Sequence, residues 1–143
     1  MVDLFYFTRD AVSLEDIARL AEQAGYRTLV FGAASGPELN TYYNDEDFWQ
    51  WIPISRKDGD FRSFDRKSKE VIDTFRPVSA FIVAYQPMSW PSLRSLLKRV
   101  MECFGGWIGS DTDGWQPIFT FDNIDKQPNP SYIAAVQWRE REG

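Results

Sequence analysis

Residues 80–108, AFIVAYQPMSWPSLRSLLKRVMECFGGWI, contain the strongest structural signals in the chain. The unbroken apolar run Ala80–Tyr85 predicts a central β-strand. Pro91 suits the first turn of a helix, where its missing N–H removes no intrahelical bond. Apolar residues then recur at helical spacing until Gly105–Gly106 ends the helix, and a strand is predicted from Trp107. The residues of this apolar stripe are Leu93, Leu96, Leu97, Val100, Met101 and Phe104.

Residues 4–31 follow the same order of strand, capped helix, glycine, aromatic residue and strand. The strands are predicted at Leu4–Thr8 and Arg27–Phe31. Between them, Ser13 and Asp16 have the spacing of a capping box, in which each side chain bonds the other residue's backbone. Two such strand-helix-strand units favour an α+β fold, namely a ferredoxin-like or related sandwich in which both units share one mixed sheet.

The middle of the chain is less regular. Gly32–Asp47 is rich in turn-forming residues and is predicted to be a loop. Phe48–Ser55 is predicted to be a strand, which Pro53 restricts to an edge or a bulge. Asp58-Gly59 is a turn signal that would pair this strand with Phe61–Phe64 as an inserted hairpin.

The remaining segments of the chain have weaker secondary-structure patterns. Asp65 suits the N-cap of a short helix over Arg66–Phe75. Asp111–Gly114 (DTDG) predicts a tight turn that leads to a strand at Pro117–Phe121. The apolar run Tyr132–Trp138 fits either a strand or a helix.

Length and composition predict a single domain over residues 1–143, since 43% of the residues are hydrophobic and 26% are charged. The chain has no signal-peptide pattern, no apolar run long enough to span a membrane, and one cysteine without a disulfide partner. We therefore expect a soluble cytoplasmic domain. The net charge of −5 disfavours nucleic acid and anionic membranes as partners and favours a basic protein surface.

The absence of histidine weighs against catalysis. Histidine is the usual proton shuttle near neutral pH, the commonest metal ligand and the usual base for Ser or Cys nucleophiles. Cys103 lies at the edge of the helical stripe and is expected to be a packed thiol. We therefore predict no enzyme activity, no cofactor and no metal site. The alternative is a small carboxylate-dependent hydrolase or ligand-binding domain, with the Asp111 region lining a pocket. A structural or regulatory module of a larger assembly is a third possibility.

The densest unusual stretch is Tyr42–Trp51, YYNDEDFWQW. It fits either a loop followed by a core strand, or a recognition surface in which aromatic residues bind and acids attract a cationic partner. Successive strand residues face opposite sides of a sheet, so Trp49 and Trp51 face one side while Phe48 faces the other. Either helices cover both faces, or one face meets another molecule.

Two windows, residues 28–55 and 100–125, contain no Lys or Arg and together carry −9, so the rest of the chain carries +4. If the fold brings them together, they form one anionic face that steers a basic partner. Otherwise they are two separate solvated loops. The acids concerned are Glu38, Asp45, Glu46 and Asp47 in the first window, and Glu102, Asp111, Asp113, Asp122 and Asp125 in the second.

Residues 96–124, LLKRVMECFGGWIGSDTDGWQPIFTFDNI, combine a long helix, a Gly-Gly-aromatic break, a strand, an acidic turn and a closing strand. This arrangement resembles small bacterial immunity proteins, the antitoxins of polymorphic or secreted interbacterial toxins. The resemblance implies a cytoplasmic protein that neutralises a toxin domain by occluding its active site. On this hypothesis we expect aromatic contacts from Tyr42, Tyr43, Trp49 and Trp115, and electrostatic contacts from Asp45, Glu46, Asp47, Asp111 and Asp113.

Overall fold

The described part of the chain comprises residues 2–33, 36–54, 74–109 and 119–126 of a computed structural model, and contains six strands and two α-helices. In chain order they are β1 (Val2–Thr8), α1 (Leu14–Gln23), β2 (Arg27–Ala33), β3 (Gly36–Tyr42), β4 (Phe48–Pro53), β5 (Ser79–Tyr85), α2 (Trp90–Phe104) and β6 (Trp107–Gly109). Short 3-10 turns lie at Pro87–Ser89 and Ile124–Lys126. The α+β class and both strand-helix-strand units are confirmed.

The six strands form one sheet in the order β2-β3-β4-β5-β1-β6, and every neighbouring pair is antiparallel. The prediction of a mixed sheet is therefore wrong for the described strands. The two strands of each strand-helix-strand unit do run in the same direction, but they are not neighbours. Strand β1 lies between β5 and β6, while β3, β4 and β5 separate β1 from β2. Helix α2 carries the chain past one strand, β1, and helix α1 carries it past three, of which β4 runs in the same direction as β1 and β2.

The predicted loop Gly32–Asp47 contains strand β3, so that prediction is wrong. Turn-forming residues conceal a short alternation in which Leu39 and Thr41 are buried. Pro37 is tolerated because it lies opposite Gly32 of β2 and outside the pairing with β4, which begins at Leu39.

Strand β4 lies between β3 and β5, so it is neither the edge strand nor the bulge that Pro53 suggested. Pro53 is the last residue of β4 and pairs with Phe81 of β5, whereas pairing with β3 reaches only to Trp51. The missing N–H of Pro53 therefore interrupts no bond to β3. Trp49 and Trp51 are both buried, while Phe48 on the other face is half-buried.

Both helices cover the same face of the sheet, and the apolar stripe predicted for α2 packs in the core together with Leu14, Ile17 and Ala21 of α1. Helix α1 begins with the predicted capping box: Ser13 Oγ accepts the Asp16 N–H at 3.2 Å, and Asp16 Oδ2 accepts the Ser13 N–H at 2.9 Å. The hydrogen bond from the Ser13 backbone N–H to the carboxylate, with a smaller contribution from the Ser13 side chain, lowers the pKa of Asp16 below its usual value. The core includes Leu4, Tyr6, Ile17, Leu39, Trp49, Trp51, Val83, Leu93, Leu96, Leu97, Val100 and Ile108.

The opposite face carries a second, smaller cluster in β1, β5 and β6. Its buried members are Phe5, Phe7, Ala80 and Trp107. Helices α1 and α2 cover the face to which Trp49 and Trp51 belong, and Phe75 packs against the cluster on the other face, with its ring centroid 5.0 Å from that of Trp107.

Several predicted features lie outside the described residues. They are the strand Phe61–Phe64, most of the helix Arg66–Phe75, the turn at residues 111–114 and the run Tyr132–Trp138. Of the predicted strand Pro117–Phe121, Phe119 forms an isolated bridge to Ile108 of β6. None of the helices within the described ranges has the length and apolar character needed to cross a membrane.

Candidate protein-binding surface

The connection between β3 and β4, residues 43–47, forms a tight hairpin loop. Asn44 Oδ1 accepts hydrogen bonds from the backbone N–H groups of Glu46 and Asp47, both at 2.9 Å. The Tyr43 N–H donates to the Asp47 carbonyl oxygen at 2.9 Å and closes the loop. An Asn side chain commonly organises a turn in this way. The loop therefore presents its side chains from a fixed backbone.

Asp47 fastens this loop to the helical layer. Ser92 Oγ, in the first turn of α2, donates a hydrogen bond of 2.7 Å to Asp47 Oδ2. The carboxylate also lies near the positive end of the α2 dipole, which favours a negative charge. Its other oxygen, Oδ1, is buried without a hydrogen-bond partner in the described structure. Asp47 thus positions the loop, and its contact with a partner stays a prediction.

Three aromatic rings form a column from the surface into the core. Tyr43 is 63% exposed, and its ring centroid lies 6.1 Å from that of Tyr26. Tyr26 contacts Trp49 edge-on at 5.7 Å, and its hydroxyl donates to the Ser92 carbonyl oxygen at 3.1 Å. Burial raises the pKa of Tyr26. Trp49 is only 1% exposed, so it supports the surface from within and cannot be the predicted surface anchor.

Tyr42 and Asp45 both contact Arg27, a residue that the sequence did not single out. The Arg27 guanidinium lies 4.7 Å from the Tyr42 ring centroid, and Arg27 Nη2 lies 2.8 Å from Asp45 Oδ1. The Tyr42 ring also contacts Phe48, with 5.4 Å between centroids. Both side chains of the ion pair are largely exposed, at 66% and 88%, so the pair adds little stability. Arg27 immediately precedes the first acidic window, and this position in the sequence could have indicated that it pairs with one of the acids.

Described acids of the two windows lie at different points along α2. Asp47 lies at the first turn of α2, whereas Glu102 lies ten residues after Ser92 on the same helix, which is about 15 Å along the axis. Asp125 pairs with Lys98. The predicted contacts Asp111, Asp113 and Trp115 lie outside the described residues. The described surface is therefore restricted to the β2–β4 end of the sheet.

This end also exposes apolar residues that the sequence analysis did not select. Leu29 and Val30 of β2 are 55% and 49% exposed. By register, Leu29 lies opposite Asn40, on the face away from the helices, and Val30 lies opposite buried Leu39, on the helix-covered face. Their exposure follows from the position of β2 at the edge of the sheet. Sheet order, which local sequence patterns do not reveal, was needed to find them.

A separate cleft of about 540 Å³ lies at the carboxyl end of α2. Tyr6 and Thr8 of β1 hold this helix end: the Tyr6 hydroxyl donates to the Gly105 carbonyl oxygen at 2.7 Å, and Thr8 Oγ1 donates to that of Phe104 at 2.6 Å. Burial raises the pKa of Tyr6.

Cys103, which lines the cleft, is exposed, so the prediction of a packed thiol is wrong. The lining also includes Arg9, Asp10, Phe75, Gly106, Trp107 and Thr120.

Within the described ranges, no group of three or more Cys, Asp or Glu side chains is placed to hold a metal ion. Comparison of the chain with protein-family models, with curated proteins and with solved structures finds no match.

Proposed function

We propose that this chain is a cytoplasmic immunity protein, which binds a toxin domain with a basic surface and covers its active site. The observation that carries the proposal is Tyr43: an exposed aromatic ring, supported by a buried column, on a loop that also presents Asp45 and Glu46. This arrangement supports recognition of another macromolecule, because its polar side chains hold the loop rather than converge on a cavity.

Tyr43 has the properties of an interface anchor. An exposed Tyr offers a large contact area with few rotatable bonds, and its support on Tyr26 lowers the entropy lost on binding. Anchors of this kind commonly contribute about 2 kcal/mol or more to binding. The surface we propose comprises Tyr42, Tyr43, Asp45, Glu46 and Leu29, with Asp47 and Trp49 holding it in place.

The acids supply attraction at longer range. Residues 28–54 contain Glu38, Asp45, Glu46 and Asp47 but no Lys or Arg. Two cations lie close to these acids: Arg27 pairs with Asp45, and Arg99 lies near Tyr26. A surface of one sign raises the association rate with an oppositely charged partner more than it raises the final affinity. Fast capture suits a protein that must neutralise a toxin before the toxin acts.

The experiment is to isolate the protein with its bound partner, assign the partner's enzymatic activity, and titrate that activity with the wild type and Tyr43→Ala. We expect wild-type protein to abolish the activity at equimolar ratio and Tyr43→Ala to weaken inhibition by about 30-fold, which corresponds to about 2 kcal/mol. Phe121→Ala is the matched control, since Phe121 is 39% exposed and belongs to the 119–126 segment, outside the proposed surface. A partner whose activity is unaffected, or equal inhibition by Tyr43→Ala, would contradict the proposal.

A second candidate function, binding of a small ligand, is favoured by the cleft beside Cys103. Its volume of about 540 Å³ lies within the range of small-molecule sites. A rise in the unfolding temperature with a small ligand, lost when Cys103→Trp fills the cleft, would support it.

We also propose that the fold is related to the ferredoxin-like sandwich. What supports it is β5-α2-β6, where one strand, β1, lies between the two connected strands as in a split β-α-β unit, whereas three strands lie between β1 and β2.

A further inference from the structure

Strand β2 is an edge of the sheet. It pairs with β3 over its full length, from Arg27 to Ala33, and with no other described strand. The outer side of an edge strand presents backbone N–H and C=O groups that another strand can bond. The Thr28 hydroxyl donates to Glu22 Oε1 of α1 at 2.7 Å, so the strand is also held from the helical layer.

Strand β2 has few of the features that usually protect an edge. Protection normally comes from charged side chains, proline or a bulge. Residues 28–33 (TLVFGA) contain no charge and no proline. The one charged residue of β2 is Arg27 at its first position, which is engaged by Asp45 and the Tyr42 ring.

The side chains of this edge would contact an added strand on both faces. Leu29 and Val30 are about half-exposed and project to opposite sides of the sheet. Directly opposed side chains of neighbouring strands lie about 4.5–5.5 Å apart. Apolar residues of an incoming strand would therefore cover Val30 on the helix-covered face, while the aliphatic stems of basic residues would cover Leu29 on the other face, which also carries Glu38.

A second copy of this chain and a segment of another protein could each pair with such an edge, and the charges of this surface favour one of them. A second copy of this chain would add the same acids, Glu38, Asp45 and Glu46, to a surface that already carries them, and this accumulation of like charge would disfavour the pairing. A segment with Lys or Arg among its apolar residues would instead meet these acids. Glu38 lies directly opposite Phe31 of β2, one strand in from the edge.

We infer that β2 receives an extended, basic segment of the protein partner, which adds a strand to the sheet. This inference rests on the proposed function, and it specifies how the partner binds: backbone hydrogen bonds along β2 supply the contact, and alternate apolar and basic side chains supply the selectivity. Tyr43 and Glu46 then contact the partner at the end of the added strand.

The test uses a synthetic seven-residue peptide of alternating Lys and Val, with blocked ends, and two derivatives that each carry three N-methyl groups. One derivative is methylated on alternate residues, which removes N–H donors from one edge and leaves the other edge intact. The other is methylated on three consecutive residues, which disrupts both edges. We expect the first to bind within about threefold of the parent, and the second to bind about tenfold or more weakly. Amide exchange should slow at alternate residues of β2 when the parent peptide binds.

Three outcomes would overturn the inference. They are equal binding of the two methylated peptides, no binding of the parent peptide at about 1 mM, and self-association of the free protein through β2. The Asp45→Lys/Glu46→Lys variant separates this failure from that of the proposed function. If it weakens peptide binding while the position of the methyl groups makes no difference, strand addition is wrong, whereas the acidic binding surface stands.

Discussion

Replacement of Trp49 by Ala should cost far more stability than replacement of its near neighbour Tyr43. Trp49 is 1% exposed and packs in the core against Tyr26. Its indole N–H has no hydrogen-bond partner in the described structure, so the loss is one of packing alone. Removing a buried Trp side chain costs about 3–5 kcal/mol, a large part of the 5–15 kcal/mol that holds a typical domain folded. Tyr43 is 63% exposed, and Tyr43→Ala should cost about 1 kcal/mol or less.

Urea unfolding followed by far-ultraviolet circular dichroism measures both free energies. Thermal unfolding should show a fall of roughly 10 °C or more for Trp49→Ala. If that variant does not fold, Trp49→Phe retains an aromatic ring and should lose about 1–2 kcal/mol. A Trp49→Ala loss below about 1 kcal/mol, or a larger loss in Tyr43→Ala, would refute the assignment of Trp49 to the core and of Tyr43 to the surface.

Three further predictions concern the fold and the cleft. Gly106→Ala should destabilise the protein more than Gly105→Ala in urea unfolding, because an added Cβ at Gly106 would lie 2.0 Å from the Phe7 carbonyl oxygen, whereas at Gly105 it meets no atom within 4 Å; equal losses would contradict the packing. Since the pKa of Asp16 is lowered in the folded state, Asp16→Ala should lower the urea midpoint at pH 7, and the difference should shrink as the pH falls below about 4; a difference that is independent of pH would exclude this cause. Cys103 is exposed, so Ellman's reagent should modify it in the native protein, and a reaction that requires denaturant would show that the thiol is buried.

Local signals predicted both helices and the strands β1, β2, β4, β5 and β6, because each has a strong pattern of its own. The Ser13 capping box, Pro91 and the glycines after α2 act over a few residues, and their effects do not depend on the rest of the fold. Strand β3 was missed because its polar and turn-forming residues conceal an alternation that is buried only through pairing with β2 and β4.

The candidate surface was predicted in part, and the errors have one origin. A local sequence shows which residues alternate, but not which side of a strand the helices cover. Trp49 and Asp47 therefore looked like surface residues, whereas the structure turns both toward the helical layer. Leu29 was missed for the complementary reason: only the order of strands places β2 at an edge and leaves this side chain exposed.

The most direct test of the acidic binding surface is the rate of association with the partner, measured against ionic strength. The variant is Asp45→Lys/Glu46→Lys, and the control is Glu102→Lys/Asp122→Lys, which makes the same change in net charge at exposed positions outside the surface. We predict that the first variant associates about tenfold more slowly at low salt and with a flatter salt dependence, while the control stays much closer to the wild type. Equal rates for the two variants would contradict the account.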